Sequence, residues 1–127
     1  MAKYTHLDIY KTTYEFLLYL GGAITHFSRE FRYTLGEKLI DDVINIITLI
    51  YRANGAQDMQ IRAQVIRVIL ERMVAIEVKV RLASGLKCIP IKKYEIICQH
   101  LARIDQQLNG WYNYTLSKKT KESENNG

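Results

Sequence analysis

Apolar residues recur at three- and four-residue steps along most of the chain, and the recurrence falls into four long stretches. In the first, from about Leu7 to His26, the residues Leu7, Tyr10, Tyr14, Leu17, Leu18, Gly21 and Ile24 line one side of a helix. That stripe is expected to face the core. A weaker stripe, Ile9, Phe16, Tyr19 and Ala23, lies on another side and is expected to contact a second subunit or a partner, because such a face is ordinarily polar. Gly21 and Gly22 each cost roughly 1 kcal/mol against alanine inside a helix, which points to a neighbouring backbone close by or a local bend.

The segment Ser28-Arg29-Glu30-Phe31-Arg32-Tyr33 reads as a connector whose arginines and aromatics suit either stacking and phosphate contact or docking onto a bundle end. A second helix is expected to open at Thr34, where Thr34-Leu35-Gly36-Glu37 has the capping-box pattern. It carries Leu35, Leu39, Val43, Ile46, Ile47 and Ile50 inward and stops at Asn54-Gly55, a left-handed terminus. A third runs from about Asp58 to Ser84 with Val65, Ile66, Ile69, Met73, Ile76 and Val80 as its core face. Val74 and Val78 fall outside that face, and with Phe16 and Tyr19 they are the expected oligomer contacts. The fourth begins after Pro90 and presents Tyr94, Ile97, Leu101, Ile104, Leu108 and Trp111. The simplest packing is all-α, an antiparallel up-down-up-down four-helix bundle over residues 1–116, with 117–127 as a polar, disordered tail.

Composition narrows this further. One proline and seven glycines in 127 residues leave few tight turns for an all-β fold, and 48% hydrophobic with 24% charged residues excludes wholesale disorder. Every apolar run is interrupted by charge before it could span a membrane, and the Met1-to-His6 start resembles no secretory signal, so a soluble cytoplasmic protein is expected. Cys88 and Cys98, with His6, His26 and His100 scattered, match no metal-ligand spacing, and no phosphate loop or nucleophile motif occurs. Asp41 and Asp42 point about 100° apart on a helix, so they are poorly placed to share a substrate atom. Neither they nor Glu95 or His100 can be grouped into an active site from spacing, and no catalysis, cofactor, metal or small-molecule substrate is expected.

The net charge of +5 is unevenly spread. Residues 1–58 carry six basic and seven acidic groups, whereas 59–121 carry twelve basic and four acidic. The second half therefore suits an anionic partner, RNA or DNA above all, or is merely a solvated basic face. On the third helix Arg67 and Arg81 flank the core face on one side, Arg72 and Lys79 on the other, so they form no single stripe. Lys92, Lys93 and Arg103 lie outside the core stripe of the fourth helix.

Several motifs occur together in order: Tyr10-Lys11 through Tyr14, Arg29-Glu30-Phe31-Arg32-Tyr33-Thr34-Leu35-Gly36-Glu37-Lys38-Leu39, Ile50-Tyr51-Arg52-Ala53-Asn54, Val80-Arg81-Leu82-Ala83, Lys92-Lys93-Tyr94-Glu95 and Gly110-Trp111. The set, spanning about Tyr10 to Trp111, resembles the accessory variability determinants of diversity-generating retroelements. A sister group of the same architecture is the four-helix-bundle proteins encoded in intervening sequences of 23S ribosomal RNA genes, which would imply a structural, protein-interaction module instead. The first resemblance implies a homopentameric barrel that binds a reverse transcriptase and nucleic acid during mutagenic retrohoming and is not itself the polymerase. It implies a binding role for Arg81. Glu77, one turn earlier, departs from members with a basic residue there. Arg67, Arg72, Lys79, Lys87, Lys92, Lys93 and Arg103 are added to the expected binding surface on charge alone.

Overall fold

The structure, a computed structural model, describes residues 7–126, and all regular structure among them is helical. Helix α1 spans Asp8–Ile24, a single turn α2 spans Arg29–Phe31, and a π-helical segment, Arg32–Gly36, leads into α3, Glu37–Gly55. Helix α4 is Met59–Gly85 and α5 is Ile91–Asn126. The four long helices close a ring of contacts in the order α1, α3, α4, α5 and back to α1. No helix among the described residues is long and apolar enough to cross a membrane.

One core runs through the ring, built from Phe16, Leu20, Leu39, Ile46, Ile50, Ile66, Ile69, Met73, Ile76, Ile97 and Ile104, all sealed from solvent. The inward faces of α3, α4 and α5 are largely those the periodicity predicts, except that Leu49 is buried on α3 where Ile47 is expected, and Met59, Ala63 and Ala83 extend the buried face of α4. Val65, Tyr94 and Trp111 are half-buried at the edges of the core.

The face of α1 is a correction. Its buried residues are Ile9, Thr12, Thr13, Phe16, Leu20, Ala23 and Ile24, whereas Tyr14 and Leu18 point outward. Phe16 is thus a core residue and not a contact for another subunit, and Tyr19 is half-buried against α5. The threonines hide this stripe from a hydrophobicity count. Thr13 donates its hydroxyl to the Ile9 carbonyl at 2.7 Å, so its polar atom is satisfied and its methyl can face inward.

Thr34 does not cap a helix. Helical turns begin earlier, at Arg29, and the Thr34 hydroxyl donates to the Glu30 carbonyl at 2.9 Å within the π segment. The expected connector is therefore mostly helix. Gly36 has its reason in packing: a Cβ there would stand 2.7 Å from Ile24 Cγ2 at the α1–α3 crossing. Gly21 and Gly22, by contrast, have nothing within 4 Å of an added Cβ, so no neighbouring element of this chain explains them.

Two arginines finish the helices that precede them. Arg32 Nη2 donates to the Thr25 carbonyl at 2.8 Å, and Arg62 donates from Nε to Ala53 O at 2.9 Å and from Nη2 to Asn54 O at 3.0 Å. Each supplies donors to carbonyls that the helix leaves unbonded. The α3 terminus needs no left-handed glycine as a result, and Gly55 stays at negative φ. Asp58 caps α4, accepting from the backbone N–H groups of Gln60 and Ile61. At the far end of α4 the left-handed residue is Lys87, φ 63°, with Cys88 N–H bonded to Ala83 O and Lys87 N–H to Ser84 O. This is a Schellman stop built on lysine, three residues beyond the Ser84 end that the sequence suggests.

Residues 117–126, expected to be an unstructured tail, continue α5. Nothing between Trp111 and Asn126 breaks a helix. Lys118 Nζ lies 5.7 Å from the Tyr114 ring centre, and Thr120 donates to the Leu116 carbonyl at 3.1 Å, local contacts of the kind that extend a polar helix.

Candidate functional site

The α4–α5 connection gathers more of the expected basic residues than any other place on the chain. Arg81 stands one turn before the end of α4, Lys87 occupies the left-handed stop, and Lys92 and Lys93 begin α5. Arg81, Lys87 and Lys92 are exposed and Lys93 is half-buried. The turn is held rigid by the two backbone bonds of the Schellman stop and by burial of Cys88 and Ile89 beneath it. Burial also pushes the Cys88 thiol upward, away from the reactive thiolate. Three ammonium groups and a guanidinium thus project from a fixed backbone.

The remaining expected cations do not join them. Lys79 is in an ion pair with Asp42 of α3, half-buried, which leaves it poorly available to a ligand. Arg72 lies on that same side, lining a small hollow with Asp42 and Asn45. Arg67 and Arg103 are exposed near the middles of α4 and α5. The prediction that the arginines of α4 form no stripe agrees with these positions.

Beside Arg81 a groove of about 370 Å³ opens between α4 and α5. Val74, Val78, Leu101 and Ala102 supply apolar walls, and Arg81, Tyr94 and Cys98 line it with the carboxyls of Glu77 and Asp105. Burial raises Asp105 most, and its hydrogen bond to Glu77 and that residue's negative charge add to the effect, bringing it to about 7. The Tyr94 hydroxyl is also raised, chiefly by its contact with Cys98, while Arg81 pulls it the other way. Val74 and Val78 are 57% and 61% exposed, so they are free in the single chain, as their positions on the sequence suggested.

Known protein families, curated proteins and solved structures offer no match to the chain.

The His100 imidazole packs against the rings of Phe16 and Tyr19 at centroid distances of 5.6 and 5.4 Å. Its Nδ1 is buried without a partner, and burial holds the ring below its ordinary pKa against the pull of Glu15. No group of three or more potential metal ligands occurs among the described residues. The carboxyl pair across the groove was not foreseen. Glu77 and Asp105 are 28 positions apart, and only the packing of α4 on α5 joins them.

Proposed function

We propose that this chain is a non-catalytic accessory subunit of a diversity-generating retroelement. It binds reverse transcriptase and nucleic acid through the basic surface of a homo-oligomeric, pentameric barrel and supports mutagenic retrohoming. The observation that carries the reading is the cluster Lys87, Lys92 and Lys93, with Arg81 at its edge, on one rigid turn. Phosphate backbones are met by such point charges, and repetition around a ring multiplies their effect.

Two further features support it. Contacts along the helices favour the up-down-up-down order. Leu7 shares a hollow with Trp111 while Tyr19 meets His100, and Asp42 meets Lys79 while Ala53 meets Arg62. Each pair of series runs in opposite senses along the sequence. Exposed valines on α4 and exposed Tyr14 and Leu18 on α1 also suit a subunit with neighbours.

The reading is tested by co-expressing the chain with the reverse transcriptase encoded beside it and capturing the complex. Lys87→Glu, Lys92→Glu and Lys93→Glu together are expected to remove bound RNA while the helical circular-dichroism signal stays. Retention of the same RNA by this variant would refute the surface.

A further inference from the structure

We propose that the α4–α5 turn docks on an anionic lipid membrane, with Leu86 and Ile91 entering the edge of the hydrocarbon and Lys87, Lys92 and Lys93 meeting the headgroups. This goes beyond the function proposed above and does not rest on it. The lysines suit any phosphate-bearing partner, and the apolar residues among them decide the class. Leu86 is 42% and Ile91 67% exposed, one at each end of the turn, while Cys88 and Ile89 between them are buried. Aliphatic side chains have no flat π-face on which a base could stack, so a nucleic acid leaves them without a partner. A membrane surface takes both kinds of group at once. Aliphatic tips pass below the headgroups, and ammonium groups stay level with them.

Charge complements such a surface. From Val78 to Tyr94 the chain carries no acidic residue, and none of the three lysines is in an ion pair among the described residues. The α3–α4 connection, from Asn54 to Asp58, has neither a lysine nor a large apolar residue.

Tyr33 adds an amphipathic ring beside the turn. Asp42 of α3 meets Lys79 of α4 while Ala53 meets Arg62, so α3 begins beside the end of α4. Tyr33, 57% exposed and just ahead of α3, therefore stands at the same end. A phenol there suits headgroup depth. The backbone bonds of the Schellman stop hold the turn in place, so docking requires no segment to fold first.

The test is flotation of the full chain with vesicles of phosphatidylserine and phosphatidylcholine, against vesicles of phosphatidylcholine alone. Wild type is expected to float with the anionic vesicles only. Lys87→Gln, Lys92→Gln and Lys93→Gln are each expected to weaken partitioning about fivefold. Leu86→Ser with Ile91→Ser is expected to weaken it by at least about tenfold, with circular dichroism unchanged. The same serine pair is expected to keep wild-type affinity for single-stranded RNA. No flotation of wild type, or a serine pair that floats as well, would overturn the proposal. So would a serine pair that loses vesicles and RNA alike, because the two side chains would then belong against nucleic acid. Vesicle binding by a wild type that binds no RNA would uphold this surface and refute the nucleic-acid reading. Depth gives a second measure. Ile91→Cys in a Cys98→Ser background, labelled with an environment-sensitive fluorophore, is expected to shift to the blue on anionic vesicles. An unshifted spectrum would contradict insertion.

Discussion

The Asp105 carboxyl of α5 shares a hydrogen bond with Glu77 of α4, and it holds its proton to about pH 7. In the unfolded chain the same group ionises near its ordinary value of 3.8. Between those limits the folded state binds the extra proton, so stability falls as pH rises from about 4 to about 7, then levels. Asp105→Asn keeps a hydrogen-bond donor and cannot ionise. It is expected to flatten this part of the profile and to raise the melting temperature at pH 8. A variant whose melting curve tracks wild type from pH 4 to 8 would show that the pair is solvated.

His100 gives the opposite slope. Its ring packs against Phe16 and Tyr19, and its pKa is lowered chiefly by burial, with Glu15 opposing and Arg103 adding to the shift. A depressed imidazole contributes stability above its unfolded value near 6.5, which is lost as pH falls through that region. His100→Phe is expected to lessen the loss between pH 7 and pH 5, as read by urea denaturation at each pH. Equal acid sensitivity in the variant would place the cause elsewhere.

Gly36 and Gly110 separate packing from propensity. At Gly36 an alanine methyl would press on the buried, branched Ile24, so Gly36→Ala is expected to destabilise by about 1–3 kcal/mol. Gly110 lies within α5 with nothing within 4 Å of an added Cβ, and Gly110→Ala should stabilise by about 0.5–1 kcal/mol. Denaturant midpoints of the two variants should move in opposite directions.

Lys87 combines a left-handed backbone with one of the proposed binding charges. Its φ of 63° suits glycine better than lysine. Lys87→Gly is expected to raise stability by roughly 1 kcal/mol while removing one of the charges proposed to meet phosphate. Chemical denaturation and RNA affinity measured on the same sample should therefore diverge.

The sequence was most legible where one local signal decides one boundary. Asp58 opens α4 and Pro90 precedes α5, and the apolar spacing of α4 marks its inward face. It was least legible where polar atoms are satisfied locally. Thr12 and Thr13 bury their methyls and interrupt the apparent stripe, so α1 reads as rotated, and Thr34 imitates a cap while bonding backward to Glu30. The π segment has no sequence signal that separates it from a loop. At the candidate site, Lys87, Lys92 and Lys93 could be chosen from charge. Glu77 with Asp105, and Lys79 with Asp42, needed helices that the sequence alone does not set side by side.

Under the function proposed above, the lysines of the α4–α5 turn bind nucleic acid by charge. Affinity for a single-stranded RNA, measured by fluorescence anisotropy across a series of salt concentrations, tests it most directly. Wild type is predicted to give a steep linear fall of log K with log salt. Exchanging Lys87, Lys92 and Lys93 for glutamate is predicted to make that slope shallower by about 2 per chain engaged, since each phosphate neutralised on a single strand contributes roughly 0.7. Affinity that does not change with salt, or a variant whose slope equals that of wild type, would contradict the claim.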